Sequence, residues 1–306
     1  MDSLFLVPVG AAAAWGLVLV LRKMQPPEGV PPLGPTPATP FPKLHPPTSP
    51  DAEAPGNLPR WGLLEFVLGL LIAVTVMVAA VHLIRPAEDS PELLLISSVG
   101  QLIAVVLVCV FIAFAHGQNV LSTLMPRVTW PRVLPRTAVL FLLGWPALIF
   151  FVAPLWTLLL EAVGQEAEPQ HVVQMLAGSE DWRLWAAAVF SAVFVAAFVE
   201  EFAFRGLLYV GIRRVVGPAG AALATAFLFA LVHVNLFAFL PLFALGWLLA
   251  EVYERTRSLA IPILFHAAFN TVTLVLVALV PEWVINGETP QTQPAGLLLG
   301  PWAWLW

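Results

Sequence analysis

Long, unbroken apolar runs organise this chain. They fall at residues 4–21, 61–84, 92–115, 138–160, 184–210, 219–239, 242–254 and 258–280. Most are long enough to carry a helix across about 30 Å of hydrocarbon. Strand-like alternation is absent, and only helices satisfy their own backbone over such runs in lipid. The pattern therefore predicts an all-α fold: a polytopic membrane helical bundle with about eight transmembrane helices. Residues 242–254 form the shortest run, preceded by Pro241, and read as a tilted or partial crossing.

Composition sharpens the class. Hydrophobic residues make up 59% of the 306, charged residues 11%, and the mean hydropathy is +0.88, which excludes an ordinary water-soluble domain. The net charge of -5 comes without any basic concentration, which argues against nucleic-acid binding. Cys109 is the single cysteine, so no disulfide can form within the chain.

The runs divide the chain into segments. Residues 1–24 read as a signal-anchor helix, because the basic pair Arg22–Lys23 follows the apolar run instead of preceding it. Residues 25–60 are dense in proline and poor in large apolar side chains, the signature of a disordered, extended linker. Residues 61–280 hold the remaining spans, and 281–306 form a Trp-rich tail suited to the membrane interface. Every second loop carries arginine (Arg60, then Arg127, Arg132 and Arg136, then Arg213 and Arg214, then Arg255 and Arg257). That bias places these loops, and the linker with them, in the cytoplasm. Ala222, Ala226 and Ala230, with Gly246 and Ala250, recur at four-residue spacing and let helices approach closely.

Candidate chemistry lies inside three of the spans. Glu201 and Arg205 stand four apart on one helix and can pair. Glu200 points about 100° away with no local cation, which makes it the candidate general base. Phe229 and His233 are four apart on the next span, as are His266 and Asn270 on the last. One carboxylate, two imidazoles and an amide from three helices are the inventory of a water-using hydrolase. Any one of these groups alone would be interhelical glue; the whole set inside apolar helices points to function. Gln101 reads as a helix contact and Asn235 as a packing or capping residue. His45, His82, His116, Asn119 and His171 read as solvated or interfacial.

The three motifs Glu200-Glu201-x-x-x-Arg205, Phe229-x-x-x-His233 and His266-x-x-x-Asn270, in this order, resemble the CPBP family of intramembrane proteases, which includes type II CAAX prenyl endopeptidases and bacteriocin-processing homologues. The resemblance covers residues 138–280 and identifies 61–280 as a membrane-embedded protease domain. It implies that Glu200 activates the attacking water with help from His233, that His266 and Asn270 stabilise the oxyanion, and that Glu201, Arg205 and Phe229 support the site. Zinc on Glu200, His233 and His266 is one option. The same residues can instead run a glutamate-base reaction with no cofactor, and that is the favoured mechanism. The implied partners are the lipid bilayer and a membrane-associated peptide or protein substrate. The implied location is a bacterial inner (plasma) membrane, with the site open to the cytoplasm. Two other classes compete: a non-catalytic binding or immunity protein on the same fold, and a transporter.

Overall fold

Residues 6–23, 59, 61–125, 130–165 and 171–279 are described by the computed structural model. The proline-rich linker, apart from Pro59, and the Trp-rich tail lie outside the described residues, as do Arg127 and His45. Every regular element among the described residues is helical. Those that build the bundle are α1 (Leu6–Lys23), α2 (Leu63–Ile84), α3 (Pro91–His116), the short α4 (Val120–Leu124) and α5 (Trp130–Ala162). After the single-turn α6 (His171–Leu176) come α7 (182–216), α8 (218–231), α9 (Leu236–Thr256) and α10 (Ala260–Leu279).

Local sequence sets the ends of these helices. Ser90 accepts from the Leu93 backbone N–H at 3.3 Å, with Pro91 in the first turn of α3. Asp181 accepts from the Arg183 N–H at 2.9 Å at the start of α7, and Asn235 from the Ala238 N–H at 2.8 Å at the start of α9. Each side chain satisfies a backbone donor that has no partner inside its helix. Glu65 reaches back 2.7 Å to the Gly62 N–H at the head of α2, and its other oxygen meets His116 Nε2 at 2.7 Å. His116 is thus the partner of a buried carboxylate, not a solvated residue at a loop. Gln101 makes its contact within α3, donating to Ser97 Oγ at 3.2 Å.

Six helices are long and apolar enough to cross a membrane. The expected count of eight differs for two reasons. Only Ala11–Leu21 of α1 counts as an apolar segment, and Trp182–Leu231 counts as one 50-residue stretch. That stretch is bent at Gly217, where φ is 78° and ψ 177°, and Pro218 restarts the helix. Glycine takes that left-handed φ without penalty, and proline, needing no N–H partner, opens the next helix. Helix α1 is seated in the bundle: Leu17 and Leu21 are buried in its main core.

Three boundaries depart from expectation. The run 138–160 is the inner part of a longer helix, so Arg132 and Arg136 ride on the first turns of α5 instead of filling a loop. The run 242–254 is the inner part of a 21-residue helix with Pro241 inside it, long enough to cross fully. The run 219–239 does not continue as a helix: α8 stops at Leu231, and residues 232–235 turn the chain into α9. His233 therefore sits in a turn beyond the helix to which its apolar neighbours had assigned it.

Helices α8 and α9 form an antiparallel hairpin with a tight seam. A Cβ at Gly246 would stand 3.1 Å from Ala226 Cα and 3.2 Å from Phe229 Cδ1, so glycine is what admits this approach. At the far end of the hairpin Glu254 gathers Arg213 (2.8 and 2.9 Å), Arg257 (2.7 Å) and the Tyr209 hydroxyl (2.9 Å). Burial lowers Arg257 from its ordinary pKa, and the Glu254 carboxylate opposes that shift. Replacing Gly246 by leucine should overpack the seam and lower the stability of the bundle by about 1–3 kcal/mol. A reduced unfolding midpoint of the purified protein in detergent would show this, and an unchanged midpoint would count against the seam.

Candidate active site

The polar constellation forms where α7, α8, α9 and α10 meet. Helix α7 is not uniform there. Wide π turns at Phe190–Ala196 and Phe202–Tyr209 flank the ordinary α-helical turn Ala197–Glu201 that carries both glutamates. Such turns displace backbone carbonyls from the regular ladder and recur at functional sites.

Arg205 and Glu201 are fully buried. Arg205 Nη1 donates to Glu201 Oε1 at 2.7 Å, and Nη2 donates to the Gly246 carbonyl at 2.7 Å. The guanidinium carbon also lies 5.0 Å from the Phe229 ring centre and 6.0 Å from that of Phe204, within cation–π range. The expected i,i+4 pair is therefore present, and a backbone carbonyl and two aromatic rings complete its surroundings. An unpaired ion at this depth would be costly, so these contacts together permit the burial.

The same Glu201 oxygen takes a second donor: His266 Nδ1–H lies 3.0 Å from Oε1. The other imidazole nitrogen, Nε2, is 3.9 Å from Glu200 Oε2. Glu200 differs from its neighbour in setting. Its side chain is 27% exposed, yet Oε2 is buried and makes no hydrogen bond. A carboxylate with one oxygen turned inward and unpartnered beside an imidazole is arranged to handle a proton.

His233 and Asn270 are held differently. His233 Nδ1–H donates to the Phe229 carbonyl at 2.6 Å, and its ring lies 4.9 Å from the Phe229 ring. Phe229 also meets His266 edge-on, at 5.8 Å. Both imidazoles thus pack against one phenyl ring. Asn270 donates to the Ala192 carbonyl, in the first π segment of α7, at 2.7 Å; a primary amide carries a second N–H beyond that one. The turn bearing His233 is tied to α5 by Trp156, whose indole N–H donates to the Leu236 carbonyl at 2.8 Å.

Among the described residues, no group of three or more His, Cys, Asp or Glu side chains is placed to hold a metal ion. The candidate zinc set of Glu200, His233 and His266 is therefore not assembled as a ligand cluster. Two contributors were invisible in the spacing of side chains, the carbonyls of Gly246 and Ala192. The seam glycine was the only sequence sign of the first, and nothing signalled the second.

Substituting Arg205 by methionine strands Glu201 in the core. It should cost about 3–5 kcal/mol of stability, read as a lowered midpoint of denaturant unfolding in micelles. The double variant Glu201→Leu/Arg205→Met should recover most of that loss.

Comparison with curated proteins finds no match, and comparison with solved structures finds none either. Residues 182–272 match the family model described as Rce1-like, type II CAAX prenyl endopeptidase, and these residues span α7 to α10 and every side chain of the constellation above. Over this segment the chain, an integral membrane protein by its apolar helices, is similar to the Rce1-like type II CAAX prenyl endopeptidases.

Proposed function

We propose that the protein is an intramembrane endopeptidase that hydrolyses a peptide bond near the terminus or membrane segment of a membrane-associated peptide or protein. The observation that carries this reading is Glu200. Its inward oxygen is buried and unpartnered, 3.9 Å from an imidazole nitrogen, while the side chain keeps partial access from outside. A glutamate locked wholly into an ion pair could not accept a proton; this one can.

In the proposed reaction Glu200 takes a proton from water as the water oxygen adds to the scissile carbonyl carbon. His233 helps to position that water, and His266 and Asn270 meet the oxyanion, Asn270 through the N–H not spent on Ala192. The carbon–nitrogen bond then breaks, and the proton held by Glu200 passes to the departing nitrogen. The arginines near the helix ends support a cytoplasmic opening, and a bacterial inner membrane is the location that the resemblance implies. The favoured chemistry needs no metal.

Purified protein in proteoliposomes should cleave members of a membrane-peptide library containing prenylated and unprenylated sequences. The Glu200→Gln variant, equally folded, should lose about 10²-fold or more in kcat. Equal cleavage by both proteins would remove Glu200 from the role of base. Cleavage by neither would favour a binding protein on this fold. Activity should survive a strong zinc chelator, and loss of activity that added zinc restores would overturn the metal-free reading.

A further inference from the structure

The geometry points to Glu201 as a positioning residue for His266: by accepting the Nδ1–H of that imidazole it aims Nε2 at Glu200. This inference rests on the protease reading for its catalytic meaning, though not for its structural content.

Three observations carry it. First, Glu201 Oε1 receives two donors, Arg205 Nη1 at 2.7 Å and His266 Nδ1 at 3.0 Å, so the carboxylate does more than neutralise its arginine. Second, the two glutamates are adjacent, and a helix turns about 100° per residue. Neighbouring carboxylates can thus address opposite nitrogens of one ring, and they do: Glu201 is at Nδ1 and Glu200 Oε2 is 3.9 Å from Nε2. Third, Glu201 is itself immobilised. Arg205 is anchored on the Gly246 carbonyl and lies over Phe229, and Phe229 meets the edge of His266. A rigid chain of contacts therefore runs from the α8–α9 seam through Arg205 and Glu201 to the imidazole. The hydrogen bond made by one ring nitrogen decides which form of the ring the other presents, and such orientation by a buried carboxylate is how imidazoles are held for proton transfer.

The resemblance assigns the partnership with Glu200 to His233. The Nδ1 of His233 is spent on the Phe229 carbonyl, as that of His266 is on Glu201, so Nε2 is the nitrogen each ring keeps for the reaction. Glu201 and Arg205 then act on the reaction through His266.

The test is the protonation pattern of His266 in the intact protein. Protein labelled with 15N in its histidine rings, reconstituted in micelles at neutral pH, is measured by long-range nitrogen–proton correlation, with His266→Gln identifying the signal. A protonated Nδ1 is expected; a bare Nδ1 with the proton on Nε2 overturns the inference whether or not the protein cleaves anything. Where cleavage is established, Glu201→Gln should lower kcat by about 10²-fold with KM within about 2-fold of wild type, and Glu201→Asp should restore part of it. If Glu201→Gln fails to fold, Glu201→Gln/Arg205→Met removes the stranded cation and is read in its place. An unchanged kcat in the folded variant also overturns the inference. Failure of the protease reading would show as no cleavage by wild type, whereas failure of this inference shows in the wild-type spectrum.

Discussion

Burying an arginine and a glutamate together in an apolar bundle is the demand that shapes this fold. The desolvation of each ion costs several kcal/mol, and their mutual attraction offsets that cost only when the remaining hydrogen-bonding capacity is met. Arg205 meets part of it with the Glu201 carboxylate, the Gly246 carbonyl and the faces of Phe229 and Phe204, while its Nε and Glu201 Oε2 make no hydrogen bond. These partners come from α7, α8 and α9. For the carbonyl to come within reach, α9 must lie close to both α7 and α8, and the absence of a side chain at position 246 permits that. The alanines of α8 and the glycine of α9 are therefore more than generic packing residues, because they bring a backbone acceptor to a buried cation.

Much of this was legible in the sequence. The i,i+4 spacing of Glu201 and Arg205 identified the ion pair, the small residues marked the seam, and the apolar runs gave a helical membrane bundle. Other features were not legible, for identifiable reasons. Val232, Val234 and Leu236 are as apolar as a helix interior, so the turn at 232–235 was hidden inside a run, and Asn235, an N-cap, is beside His233 its only polar sign. Backbone carbonyls leave no mark in a residue pattern, so the partners of Arg205 and Asn270 could not be inferred. The π turns of α7 carry no composition of their own. Glu65 stands at the third position of its helix, where a carboxylate can reach back to a free N–H, but its second partner, His116, lies too far along the chain for spacing to show.

The contrast between the two adjacent glutamates shows how the fold assigns different work to identical side chains. Glu201 lies on the face of α7 turned to α9 and α10, where Arg205 and His266 claim one of its oxygens and no solvent reaches it. Each carboxylate keeps one buried oxygen without a partner, but of the two only Glu200, rotated by a single residue, has a partly accessible side chain. A site that moves protons needs one carboxylate free to change its charge and surroundings that do not change with it. The first of these is Glu200. The second is supplied by Glu201, because a carboxylate shared between a fixed guanidinium and an imidazole can neither rotate away nor take up water without unmaking the contacts that allow Arg205 to be buried. The stability of the bundle and the orientation of the imidazole are thus secured by the same contacts, and the fold can keep the second only by keeping the first.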